Sequence, residues 1–378
     1  MALTLASLAF LTWAYLLLGR GFFWRIRPAA TLAGAAAGRV IAVIPARNER
    51  ASIGATVESL LRQHFAGTLH VVVVDDGSSD GTAQAATDAA AAAAGSERVR
   101  IIRGAALPPG WTGKLWALSQ GVAVAEGLAP DFLLFTDADI AHEPGSVAGL
   151  VGRAQADRRD LVSRMVLLET GSGAERLLIP AFVFFFFMLY PPAWVASARH
   201  RLAAAAGGCV LIRPAMLQRI GGVQAIRGRI IDDCALAQAV KDAGGRTWIE
   251  ATQHTRSLRR YVTAAEIETM IARTAFAQLR HSWALLGVTV VGLAVTFLAP
   301  VALALVAGGA AAWIAGAAWV LMSLCYLPTV RFYRLPAPWC VSLPVSAVLY
   351  LKATVLSAWR YAHGAGGRWK DRVQDVTG

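Results

Sequence analysis

Two aspartates, Asp137 and Asp139, flank Ala138 directly after Phe132–Thr136, a run of apolar or β-favouring residues. Residues i and i+2 of an extended chain face the same way. Their carboxylates can therefore share one divalent ion and leave positions for diphosphate oxygens and water. A second acidic pair, Asp75 and Asp76, opens the string DDGSSDGT where another strand-like run, His70–Val74, ends. Turn chemistry alone accounts for Asp, Ser and Gly there. The chemical alternative is that Asp75 and Asp76 accept hydrogen bonds from the base and ribose of a nucleotide. The string PPGWTGKLWALSQG, from Pro108, puts Gly113 and Lys114 at the start of a helix. A helix N-terminus with a lysine suits a diphosphate, although a turn before an amphipathic helix would also use these residues. A third acidic pair, Asp232 and Asp233 in IIDDCALAQAV, begins another helical run, where aspartates are ordinary capping and macrodipole residues. The stretch AAAAGGCVLIRPAMLQRIGG before it implies close backbone approach, to a ligand or at turns.

These residues need a scaffold that brings them together. From Arg39 to about Gln253 strand-like and helix-like runs alternate, as in an α/β domain with a mostly parallel sheet. Val40–Ile44, His70–Val74, Val99–Ile102 and Phe132–Thr136 read as strands, and Ser52–Arg62, Ala83–Ala94 and Lys114–Glu126 as helices. In such sheets ligands bind at the carboxyl ends of the strands, which is where the acidic pairs fall. The first strand ends in IPARNE rather than GxGxxG, which disfavours a dinucleotide-binding oxidoreductase. The alanine-rich run is a good helix former and nothing more.

Composition adds a membrane part. Of 378 residues, 56% are hydrophobic and only 16% charged, against about 25% in soluble globular chains. The net charge of +12 could suit nucleic acid, an anionic membrane face or a phosphorylated ligand. Its placement favours the last two, because no nucleic-acid motif interleaves the arginines. Arg20, Arg25 and Arg27 follow the apolar run Leu3–Leu18, and Arg256, Arg259, Arg260, Arg273 and Arg280 precede another. That is the positive-inside pattern. Those three near Arg259 would meet lipid headgroups, a donor diphosphate or solvent.

Residues 1–27 thus read as an N-terminal anchor with a basic juxtamembrane stretch, and 282–359 as two or three C-terminal spans. Ser282–Val330 has no charged residue and room for two helices turning near Gly308 and Gly309. Leu335–Trp359, with Lys352 and three prolines, either spans or lies in the interface. The basic tail 360–378 carries Arg368, Lys370 and Arg372. Leu177–Val195 also has span-like hydropathy. Spanning there would split the motifs across the bilayer, so a single site requires this segment to be buried in the domain or to lie in the membrane surface. The scattered histidines show no metal spacing; His254 is the one that could approach the ion, and a hydrogen-bonded surface role fits it better.

Together the motifs resemble the family 2 glycosyltransferases of GT-A fold, over about Arg39 to Arg280. The resemblance implies a GT-A Rossmann-like domain, 39–281, and an enzyme of hexosyltransferase type. It implies that Asp75 and Asp76 hold the nucleotide, with Pro45, Arg47, Asn48, Glu49 and Gly113 beside them. Lys114 would contact the donor, Asp137 and Asp139 would hold Mg²⁺ or Mn²⁺, and Asp233, with Asp232 next to it, would be the catalytic base. The family's ED dipeptide reads Asp232–Asp233 here. The Q/RxxRW motif of processive synthases is matched only at Gln278, which disfavours polysaccharide synthesis. IPARNE, GWTGKLWALSQG, the aromatic segment before Pro191 and Pro192, and RTAFAQLRHS are similar to the hopanoid-biosynthesis-associated glycosyltransferases of bacteria. That resemblance implies a UDP-sugar donor, a lipid acceptor and a multi-pass protein of the bacterial cytoplasmic membrane, its catalytic domain in the cytoplasm and no nucleic-acid partner. Polyprenyl phosphate, a carotenoid or diacylglycerol are rival acceptors, and a non-catalytic membrane scaffold is the rival of another class.

Overall fold

The computed structural model describes residues 1–26, 28, 36–364, 368–369 and 372–373; Arg27, Lys370 and most of the basic tail lie outside the described residues. The chain divides into two compact units, one made of Met1–Arg27, Glu169–Ala193 and Arg260–Gly367, the other of Pro28–Leu168, Trp194–Arg259 and Arg368–Gly378.

The second unit is built on an eight-stranded sheet: β1 (Arg39–Ala46), β2 (Thr68–Asp75), β3 (Val99–Arg103), β4 (Phe132–Thr136), β5 (Ile140–His142), β6 (Leu161–Leu167), β7 (Cys209–Ile212) and β8 (Thr247–Ser257). Their order is β3-β2-β1-β4-β7-β6-β8-β5. Strands β3, β2, β1 and β4 are parallel, β7 runs antiparallel to β4 and β6, and β8 pairs parallel with β6 and antiparallel with β5. The sheet is therefore mixed, and its parallel half carries the ends expected to bind a ligand. The inner strands are apolar on both faces because both are covered: Val40, Ala42 and Ile44 of β1 face one core cluster, Ile41 and Val43 the other. Helix Gly113–Glu126 lies close on the second face. At Gly121 a Cβ would come 2.3 Å from Val43 Cγ1, so only glycine allows that approach.

In the first unit, three helical stretches are long and apolar enough to cross a membrane: Trp283–Val306, Gly309–Phe332 and Ala337–Ala362. The turn between the first two falls at Gly308 and Gly309, as the sequence suggests. Helix Ala2–Leu18 is apolar but shorter. Pro300 has no N–H and disfavours the preceding turn, which widens to a π segment at Ala294–Leu298. The carbonyl of Thr296 there accepts a 2.7 Å hydrogen bond from the indole N–H of Trp13, which satisfies a group that would be costly in lipid.

The apolar segment Leu177–Val195 falls largely on one helix. Its helix, Gly173–Leu189, groups with the apolar helices of this first unit rather than with the sheet. The reason is aromatic packing: Phe184 meets Phe23 and Tyr326 at ring distances of 5.2 Å, and Phe185 meets Tyr350 at 4.8 Å. Residues 260–281 group with this same unit.

Candidate active site

The carboxyl ends of β1, β2 and β4 gather the predicted residues into three adjoining groups. At β1 and β2, Asp75 accepts the Ser78 amide at 2.9 Å through Oδ1 and the Gly104 amide at 2.8 Å through its carbonyl. Asp76 is 3% exposed and faces Arg47, whose guanidinium donates to the Asp76 carbonyl and lies 3.8 Å from its carboxylate. The two aspartates are thus not equivalent: Asp75 sits at the mouth and Asp76 braces Arg47. Asn48 adopts a left-handed backbone, φ 51°, which asparagine tolerates better than most residues. There its amide donates to Ser78 Oγ and its Oδ1 accepts the Ser79 amide, both at 3.0 Å, which locks IPARNE against DDGSSDGT.

The central group is organised by Lys114. Thr112 caps the helix that begins at Gly113, its hydroxyl accepting the Leu115 amide at 3.3 Å. Lys114 projects from this first turn, its Nζ 2.9 Å from Asp137 Oδ1 and 3.1 Å from Asp232 Oδ2. Asp233 is held by two backbone amides at 2.7 Å, Gly207 on Oδ2 and Cys234 on Oδ1. Gly207 is packed tightly here: a Cβ there would lie 3.3 Å from both Asp233 Oδ2 and Lys114 Nζ. Lys114, Asp137, Gly207, Asp232 and Asp233, with Pro45, Phe135 and Leu236, line one cleft.

Charge crowding sets the protonation. Burial, followed by the neighbouring Asp232 carboxylate, pushes the Asp233 pKa up to about 6. Burial also raises Asp137, with Lys114 opposing and Asp139 reinforcing the shift. Lys114 is held above its ordinary value: burial opposes its charge, but Asp137 and Asp232 outweigh it.

The third group was not foreseen as a unit. Arg259, just past the end of β8, donates from Nε to Asp139 Oδ2 at 2.8 Å and from Nη2 to Glu49 Oε1 at 2.9 Å. The chain returns there because Leu258 donates its amide to the Asp139 carbonyl at 2.7 Å. No signal local to residue 259 could have singled it out among Arg256, Arg259 and Arg260. His254 lies elsewhere on β8, its Nδ1 2.7 Å from Glu143 Oε2, and among the described residues no three His, Cys, Asp or Glu side chains cluster as a metal site. The donor set nevertheless fits a hard divalent cation that brings further oxygens with it: both aspartates end in carboxylate oxygens, and each already draws one cationic side chain.

Comparison with known proteins bears on the fold that carries this site. Residues 41–221 match the model of glycosyl transferase family 2. That stretch of the chain is similar to a family 2 glycosyltransferase domain. No curated protein sequence matches the chain significantly. The mannosyltransferase PcManGT from Pyrobaculum calidifontis, solved in complex with GDP-Man and Mn²⁺, is similar in structure at TM-score 0.56 and 16% identity, over 95% of this chain and 99% of that one. Glucosyl-3-phosphoglycerate synthase from Mycobacterium tuberculosis, solved with Mn²⁺, UDP-glucose and phosphoglyceric acid, aligns at TM-score 0.41 and 20% identity, over 64% of this chain and 79% of that one. The glycosyltransferase thus has a mixed α/β GT-A fold, and its matched region contains every predicted site residue except Asp232 and Asp233.

Proposed function

We propose that this glycosyltransferase moves a sugar from a nucleotide-diphosphate donor to a lipid acceptor at a membrane, with inversion. The observation that carries the reading is the double ion pair of Lys114, which joins Asp137 of the DxD motif to Asp232 of the DD motif in one cleft. Leaving-group and acceptor chemistry need that proximity.

In this reading Asp75, Arg47 and Asn48 frame the nucleoside, with Asp76 fixing Arg47. Asp137 and Asp139 hold Mg²⁺ or Mn²⁺, as the Mn²⁺ in both relatives supports. A bound divalent ion supplies charge stabilisation for the departing diphosphate. Lys114 adds positive charge at the same place. Asp233, raised toward neutrality and aimed by two amides, takes the acceptor's hydroxyl proton. With one base and no second nucleophile proposed, direct displacement follows.

The lipid acceptor is supported by the three apolar helices carried on the same chain. A hopanoid is the acceptor implied by the motif resemblance, and a UDP-sugar the implied donor. The test is transfer of labelled sugar from UDP- and GDP-sugars into lipid extracts by membranes containing the protein. Label in a hopanoid-like fraction supports the full reading; label in polyprenyl phosphate, carotenoid or diacylglycerol keeps the enzyme and changes the acceptor. No label in any lipid fraction contradicts lipid transfer.

A further inference from the structure

Arg259 is the least expected member of the site. It sits on Oδ2 of Asp139, one of the two aspartates read as metal ligands, and it also reaches Glu49 across the mouth from β1. Glu49 is fixed independently: its amide donates to Thr82 Oγ1 at 2.8 Å and its Oε2 accepts from Ser52 Oγ at 3.2 Å. The Arg259 side chain is 40% exposed, whereas Asp139 and Glu49 are each 15% exposed. The carboxylates are therefore the fixed partners and the guanidinium the movable one.

We propose that Arg259 is an internal counter-ion that a divalent cation displaces from Asp139, after which its guanidinium, still anchored through Glu49, pairs with the donor's diphosphate. The inference rests on the reading of Asp137 and Asp139 as metal ligands. Two physical facts lead to it. A guanidinium stays charged at any working pH, so when displaced from Asp139 it keeps Glu49 and can take up a further anion. A nucleotide diphosphate entering with the ion is that anion, and its oxygens match the planar fork of arginine. The exchange keeps Asp139 paired before and after donor entry, so the carboxylate never faces the cleft uncompensated.

A merely structural ion pair and a displaceable counter-ion predict opposite results when the charge is removed. If Arg259 only fastens the end of β8, Arg259→Gln leaves Mn²⁺ affinity unchanged or weakens it. If it competes with the ion, Arg259→Gln binds Mn²⁺ more tightly, by about twofold to fivefold, the range set by partly exposed ion pairs. The experiment uses the full chain in nanodiscs and reads free Mn²⁺ by electron paramagnetic resonance, with wild type, Arg259→Gln and Asp139→Asn. UDP and GDP affinities follow at saturating Mn²⁺. The proposal expects tighter Mn²⁺ and about tenfold weaker nucleotide for Arg259→Gln, from loss of a charged hydrogen bond, and no Mn²⁺ binding for Asp139→Asn. Unchanged or weaker Mn²⁺ binding by Arg259→Gln, while wild type binds and Asp139→Asn does not, overturns the counter-ion and spares the metal site. Absence of Mn²⁺ binding in wild type, with and without nucleotide, overturns both.

Discussion

The amide of Gly207 donates a 2.7 Å hydrogen bond to the Asp233 carboxylate, and a Cβ on the same glycine would lie 3.3 Å from Lys114 Nζ. A methyl group at 207 must displace both neighbours by a few tenths of an ångström. Gly207→Ala is therefore expected to fold normally and to lose transfer rate by about tenfold or more, since misplacement of catalytic groups by about 1 Å can cost 10²-fold. Rates alongside a thermal melt check this; a normal rate with a normal melt would show that the site has slack there.

The raised pKa of Asp233 sets a pH dependence. A base works only when ionised, so at saturating acceptor the transfer rate should climb with pH up to about 6 and then level off. The climb should approach tenfold per pH unit on the acid side. A profile that is flat from pH 5 to 8 would mean that Asp233 is already fully ionised or not the base.

His142 gives a stability test outside the acidic cluster. It is 3% exposed, and its Nε2 lies 3.0 Å from Thr136 Oγ1. The Thr136 hydroxyl proton goes to the Gly208 carbonyl at 2.9 Å, so Nε2 carries the histidine's hydrogen and Nδ1 is bare, with no hydrogen-bond partner. Protonating Nδ1 would bury an unsatisfied charge, and burial, aided by Arg164, lowers the pKa from 6.5 to about 3. The native state thus binds fewer protons than the unfolded state between those values, and stability falls as pH falls from 6.5 toward 3. The slope is about 1.4 kcal/mol per pH unit. Denaturant unfolding of His142→Gln should lack this acid loss; an unchanged slope would refute the buried neutral imidazole.

Much of this was legible in the chain. The strands Val40–Ile44, His70–Val74, Val99–Ile102 and Phe132–Thr136 lie inside β1 to β4, because runs of β-branched residues between turn signals identify buried parallel strands locally. The acidic pairs could be placed at strand ends for the same reason. What stayed hidden depends on distance along the chain. Arg259 reaches Glu49 across 210 residues, and nothing around either position announces the other. Helix Gly173–Leu189 reads from sequence as buried in the domain or lying in the membrane surface, and the partners of its aromatic residues, Phe23, Tyr326 and Tyr350, are likewise distant along the chain. Helix-start chemistry alone would also explain Asp233, and asparagine serves there equally well. In the structure its two oxygens accept two different amides, so asparagine can satisfy only one of them.

That last relationship shapes the most direct test of the account, the transfer rate of Asp233→Asn beside its affinity for donor nucleotide. The amide side chain keeps the shape but accepts no proton, so the rate should fall by about 10²–10⁴. The lost amide contact should cost only about 1 kcal/mol of stability, and nucleotide affinity should persist because Asp75, Arg47, Lys114, Asp137 and Asp139 are untouched. Near-normal transfer by folded Asp233→Asn would contradict the central claim and pass the role of base to Asp232.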